Sequence, residues 1–228
     1  TRNAENVEKG DGPRSCRAVD WRDRLRAGVS LESTPRSLRG PSPFSTTSVV
    51  WCGVMETVHS AEFDSPVGVL RIASTASGLA YLGLPNAGGC GLAGWLARAA
   101  KGARREHAFA PNREAIRQVL EYLEGKRTDF DVPLDLRGTP FQQAVWSALL
   151  AIPYGSTRSY AEVARSVGNP NAVRAVGTAN GANPIPLVVP CHRVVASGGK
   201  LGGYGGGLDL KRRLLAMEQS LRHQGSLL

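Results

Sequence analysis

From Gly138 onward the chain is cut into short helical pieces by closely spaced breakers, and this limits its folds more than any other feature. Thr139 fits an N-cap with Pro140 at the first helical position, and Phe141, Val145, Leu149 and Leu150 supply the apolar face of that helix. Pro153-Tyr154-Gly155 ends it. Ser159 fits the cap of a second helix, Tyr160 to Val167, with Glu162 where a capping box needs it. Gly168-Asn169-Pro170 makes a tight turn, and residues 171–180 read as a third helix. Two short helices across a glycine-containing turn suggest a helix-turn-helix, a weak signal alone because many helical cores contain such a pair.

Charge strengthens that signal. The whole chain carries +9, but residues 137–228 hold ten Lys/Arg against three Asp/Glu, whereas residues 55–136 hold nine against ten. A basic C-terminal half fits a polyanion partner, since clustered cations release counterions from a phosphate backbone. A merely soluble basic surface is the plainer alternative.

The middle of the chain has a different rhythm. Val58 to Phe63, Val67 to Ala73 and Leu79 to Leu84 read as strands, with Asp64-Ser65-Pro66 and Ser74 to Gly78 as turns. Gly91 to Ala103 and Asn112 to Leu123 read as helices, the second with Ile116, Val119, Leu120 and Leu123 on one face. The expected class is α+β. A small N-terminal sheet-plus-helix domain over 55–136 precedes a mostly helical, winged-helix-like domain over 137–228. Residues 1–54 have neither period and are rich in Arg, Ser, Pro and Gly, so they read as a disordered or non-native tail. Met55 directly precedes the patterned region.

With 42% hydrophobic residues the chain has enough material for a buried core. No run of about 18 apolar residues and no secretory signal pattern occurs, so the expectation is a cytoplasmic protein, nuclear if the source is eukaryotic. Cys16, Cys52, Cys90 and Cys191 are scattered without a C-x-x-C pair, which suggests neither a disulfide framework nor a zinc ribbon.

The stretch 183–195, NPIPLVVPCHRVV, holds the candidate chemistry. A thiol is a poor nucleophile until ionised, and a nearby His or basic group favours the thiolate. On chemistry alone, Cys191 stays open between a nucleophile and a buried structural cysteine. The wording of the segment goes further. Pro190-Cys191-His192-Arg193-Val194 resembles the signature of the O6-alkylguanine-DNA alkyltransferases, the methylated-DNA–protein-cysteine methyltransferases. The Gly-Asn-Pro turn, Arg174, Asn183-Pro184, glycine-flanked Tyr204 and Glu218 follow in the family's order, and the resemblance runs from about Thr57 to Glu218.

The resemblance implies roles, each with a plainer counterpart. Cys191 resembles the alkyl acceptor. His192 and Glu218 resemble the partners that remove its proton through a water, against a core histidine and a solvated helix charge near Lys211, Arg212 and Arg213. Asn183 resembles the residue that shapes the active-site turn, otherwise an ordinary loop residue before proline. Tyr160 resembles the tyrosine that helps rotate the nucleotide out and donates a proton toward guanine, otherwise a half-buried aromatic. Arg174 resembles the residue inserted where the base has left, otherwise a phosphate contact. Asn169 and Arg193 are further expected DNA contacts. Tyr204, Pro186 and Gly205 resemble the walls of the base pocket, otherwise a flexible loop.

The family implies suicidal repair of O6-alkylguanine (and O4-alkylthymine in some members) in double-stranded DNA, with no cofactor and as a monomer. Two departures stand out. Where some relatives bind structural zinc, this chain has Glu56, Thr75 and Ala80, so no metal is expected. Where some have a serine after the pocket tyrosine, it has Gly205. The rival readings are a lesion-binding module without an acceptor cysteine, a transcription regulator, and a Cys-His-Glu hydrolase. Cys191 opposes the first, the lack of a sensor domain the second, and single turnover would exclude the third.

Overall fold

The computed structural model describes residues 55–85 and 90–225; the expected tail, 1–54, lies outside them. Strands β1 (Thr57–Phe63), β2 (Leu70–Thr75), β3 (Gly78–Gly83) and β4 (Arg104–His107) form one sheet in the order β3-β2-β1-β4. The β1–β2 and β2–β3 pairs are antiparallel and β1–β4 is parallel. Alternation in β2 sends Leu70 and Ile72 to one face and Ala73 to the other. On the second face, Val58, Ala73 and Ala80 pack against Leu92 and Trp95 of helix α1 (Gly91–Ala99). On the first, Leu70, Ile72 and Leu82 share a continuous core with Ile116, Val119 and Tyr122 of helix α2 (Arg113–Leu123) and with the C-terminal helices.

Three of the differences from the sequence reading have a clear local reason. Helix α1 ends at Ala99 rather than Ala103, because residues 100–103 turn the chain into β4. β4 itself, Arg-Arg-Glu-His, was not expected: it is an edge strand with no apolar face to give it a period. β2 starts at Leu70 because Gly68, at φ 109°, closes a turn in which its N–H donates to the Ser65 carbonyl at 3.0 Å.

The C-terminal part holds α3 (Pro140–Leu150), β5 (Arg158–Ser159), α4 (Tyr160–Ser166), α5 (Val173–Gly181), β6 (Val194–Val195) and α6 (Leu208–Gly225). The caps that mark two helix starts in the sequence are present in full. Thr139 with Gln142, and Ser159 with Glu162, each form a reciprocal capping box. α4 and α5 pack together across the Gly168-Asn169-Pro170 turn as the helix-turn-helix, and the Trp146 indole N–H ties α3 to α5 by donating to the Ala179 carbonyl at 2.9 Å. No helix of the described residues is long and apolar enough to cross a membrane.

Candidate active site

Two short strands bring the chemistry together. β6 directly follows the 3-10 turn Cys191–Arg193, and β5 directly precedes Tyr160; their parallel pairing, Arg158 with Val194 and Ser159 with Val195, ties the two segments together so that both residues line one cavity. A third element comes from the N-terminal sheet, where the Leu82 N–H donates to the Pro184 carbonyl at 2.8 Å and anchors the turn leading to Cys191.

That turn is held under backbone strain. Leu187 sits at φ 74°, a region an L side chain adopts at a cost of order 1–3 kcal/mol. Asn183 clamps it from within: its Nδ2 donates to the Val189 carbonyl at 2.8 Å and its Oδ1 accepts from the Ile185 N–H at 3.0 Å. Cys191, at the end of this clamp, is buried and is the free cysteine among the described residues.

Burial pushes the Cys191 thiol up to about 11, against the opposing pull of the Asn183 side chain, the Lys211 charge and the backbone N–H groups of Cys191 and His192. At neutral pH the resting sulfur therefore carries its proton, and reaction needs a base. His192 is fully buried. Its Nε2 lies 2.9 Å from Glu218 Oε1, while its Nδ1 has no hydrogen-bond partner among the described residues. Because the carboxylate has no hydrogen to give, Nε2 carries the imidazole proton and Nδ1 is a bare acceptor. Burial lowers the imidazole pKa despite the attraction of Glu218, which keeps the ring neutral and ready to accept.

Glu218 is also fully buried. Burial alone would raise its pKa, but hydrogen bonds from His192 and Arg193 outweigh that and hold it at about 2. The solvated-charge alternative for Glu218 is thereby excluded. Arg193 needs correcting as well. It is 6% exposed, donates to both Glu218 oxygens at 2.9–3.1 Å and to the Ile152 carbonyl at 2.6 Å. A guanidinium so enclosed serves the carboxylate and does not present itself to DNA.

A cavity of about 610 Å³ opens over Cys191. Tyr160, Asn183, Pro186, Tyr204 and Gly205 line it, together with Tyr81 and Trp95 of the N-terminal part. The Tyr204 hydroxyl is buried without a hydrogen-bond partner among the described residues. Gly202, at φ 63°, lies against the Tyr160 ring, where a Cβ would meet Cε2 at 3.2 Å. Glycine is needed for the loop to approach so closely. Arg174 and Asn169 sit apart from the cavity wall. Both are exposed, Arg174 on α5 without an ion pair among the described residues and Asn169 in the turn before it. Of the three positions weighed for zinc, Thr75 donates to Asp135 at 2.7 Å, Glu56 pairs with Arg137, and Ala80 is core.

Two residues of this centre escaped the sequence reading. Lys211 is fully buried; its ammonium donates to the carbonyls of Val194 (2.6 Å) and Leu201, fastening the loop beside Tyr204. The signal was available in α6, where Lys211, Leu214, Leu215 and Glu218 follow the spacing of one buried helical face. The second is Tyr122 of α2, whose hydroxyl donates to Glu218 Oε1 at 2.5 Å.

The surroundings match known proteins throughout. A family model described as the DNA binding domain of 6-O-methylguanine DNA methyltransferase matches residues 140–220, and one described as its ribonuclease-like domain matches residues 58–136. The methylated-DNA–protein-cysteine methyltransferase of Mycobacterium bovis is 47% identical over 174 residues, covering 72% of this chain and 93% of that protein. The one from Methanosarcina acetivorans is 42% identical over 167 residues, covering 72% and 99%. Among solved structures, Mycobacterium tuberculosis OGT in complex with DNA aligns with a TM-score of 0.62 at 46% identity, covering 72% of this chain and 94% of that one.

Proposed function

We propose, from the premise that this chain belongs to the 6-O-methylguanine DNA methyltransferase family, that it repairs DNA by moving an alkyl group from O6 of guanine to Cys191, once per molecule. The observation that carries this reading is a buried Cys191 next in sequence to a fully buried His192, whose Nε2 lies 2.9 Å from the buried Glu218 carboxylate and whose Nδ1 has no hydrogen-bond partner among the described residues.

The steps follow from these residues. The Cys191 proton passes through a water to His192 Nδ1, and Glu218 stabilises the imidazolium that forms. The thiolate attacks the alkyl carbon in line. The S–C bond forms as the C–O6 bond breaks, and the electron pair stays with guanine, which takes a proton on the side of Tyr160. The proton lost from sulfur balances the one gained by the base. The product is a thioether that no group in the site hydrolyses, so the protein is consumed.

Attack needs a purine outside its stack, because a dry, fixed geometry is unavailable within a duplex; flipping costs on the order of a few kcal/mol. A cavity of about 610 Å³, walled in part by Tyr204 and Pro186, accommodates a purine and its substituent. Exposed Arg174 on α5 is the side chain to fill the vacated stack, with Asn169 contacting the backbone beside it. On this reading the protein acts as a monomer on double-stranded DNA.

Titration with a duplex carrying one O6-methylguanine tests the reading. Repair should stop at one lesion per protein molecule however large the excess of DNA; continued turnover would overturn it.

A further inference from the structure

The relay from Cys191 to Glu218 belongs to the C-terminal part, yet one of its hydrogen bonds is supplied from elsewhere. Tyr122 lies on α2, is fully buried, and its ring packs on Phe130 at 5.3 Å and edge-on to Tyr154 at 6.2 Å. This packing leaves the hydroxyl between the two ends of the relay, 2.5 Å from Glu218 Oε1 and 3.2 Å from His192 Nε2. A phenol has one hydrogen, and the carboxylate, at the shorter distance, takes it. Burial and the neighbouring Glu218 charge both raise the tyrosine pKa, so the hydroxyl stays protonated and remains a donor.

We propose that Tyr122 is a positioning residue of the transfer reaction, its hydroxyl tempering the pull of Glu218 on His192. The inference rests on the reading of Cys191 as alkyl acceptor. Tyr122 and His192 compete for the same oxygen, Oε1. A donor on that oxygen disperses its charge and weakens its hold on the imidazole hydrogen. Without the hydroxyl, Glu218 binds His192 more strongly and the imidazolium becomes easier to form. The other groups facing the pair stay in place: Arg193 on Glu218, the Gly155 N–H on Oε2, Lys211 from α6, Tyr154, Tyr204 edge-on to the imidazole at 6.3 Å, and Cys191 itself. A purely structural tyrosine would affect folding and leave the proton equilibrium alone.

Tyr122→Phe removes the oxygen and keeps the ring. We expect the acid limb of the single-turnover transfer rate to move up by about one pH unit, a roughly tenfold loss on the acid side. The His192 ring signals, followed by NMR in DNA-free protein, should titrate with the same upward shift. 3-Fluorotyrosine at position 122 strengthens the donor and should shift both readouts the other way. It also decides the matter if Tyr122→Phe fails to fold. Coincident profiles for wild type and both variants would overturn the proposal. Failure of the wild type to transfer an alkyl group would instead sink the reading of Cys191, while the NMR titration would still judge Tyr122.

Discussion

Replacing Glu218 by glutamine removes one charge with almost no change of volume, which makes the cost of the buried network measurable. In the folded chain Glu218 accepts from Tyr122, from Arg193 through both oxygens and from the Gly155 N–H, and it holds His192. With glutamine, Arg193 keeps its charge at 6% exposure but faces a neutral amide, whose single oxygen and the Ile152 carbonyl are the acceptors left to it. An orphaned buried charge costs about 3–5 kcal/mol, which for a domain of this size corresponds to a fall in Tm of roughly 6–20 °C.

The same carboxylate makes stability depend on acid. Its folded pKa is about 2, below the ordinary value of 4.5. Its contribution is therefore present above pH 4.5 and is lost as pH falls through 2, a total on the order of 3 kcal/mol. Urea unfolding followed by tryptophan fluorescence, at pH 7 and at intervals down to pH 2, measures both. Glu218→Gln should be destabilised at pH 7 and have a flatter acid profile than wild type, and Arg193→Met added to it should restore most of the loss. A cost below about 1 kcal/mol, or simple additivity of the two substitutions, would refute the reasoning.

In the DNA-free protein, iodoacetamide should modify Cys191 slowly at pH 7 and about tenfold faster per pH unit toward the thiol pKa of about 11; a rate that levels off below pH 8 would contradict the burial argument. Arg174→Ala should change stability by less than about 0.5 kcal/mol because the side chain is exposed and unpaired among the described residues. It should slow transfer from duplex DNA at least roughly tenfold while leaving reaction with the free O6-alkylguanine base unchanged; equal losses on both substrates would remove Arg174 from the duplex.

Local rules made some of this protein legible and hid the rest. The starts of α3 and α4 could be read because Thr139 with Pro140 and Ser159 with Glu162 carry their signals within four residues. The first three strands showed themselves by apolar spacing, while polar β4 had nothing to show. Cys191 and His192 stood out in their motif, but the partners that give them chemistry are distant in sequence. Glu218 meets His192 across 26 residues and Tyr122 meets Glu218 across 96. Arg193 looked like a DNA contact because a basic residue in a basic segment is normally solvated. Only the fold reveals that a carboxylate 25 residues on draws it inside. Lys211 had a readable place on the buried face of α6, but a lysine beside Arg212 and Arg213 reads first as surface.

The most direct test of the account is peptide mass mapping after incubation with DNA containing O6-methylguanine. The account predicts a single added methyl group located on Cys191, absent from Cys191→Ser, with guanine restored in the DNA. Repaired DNA alongside an unmodified Cys191, or a methyl group on any other residue, would contradict it.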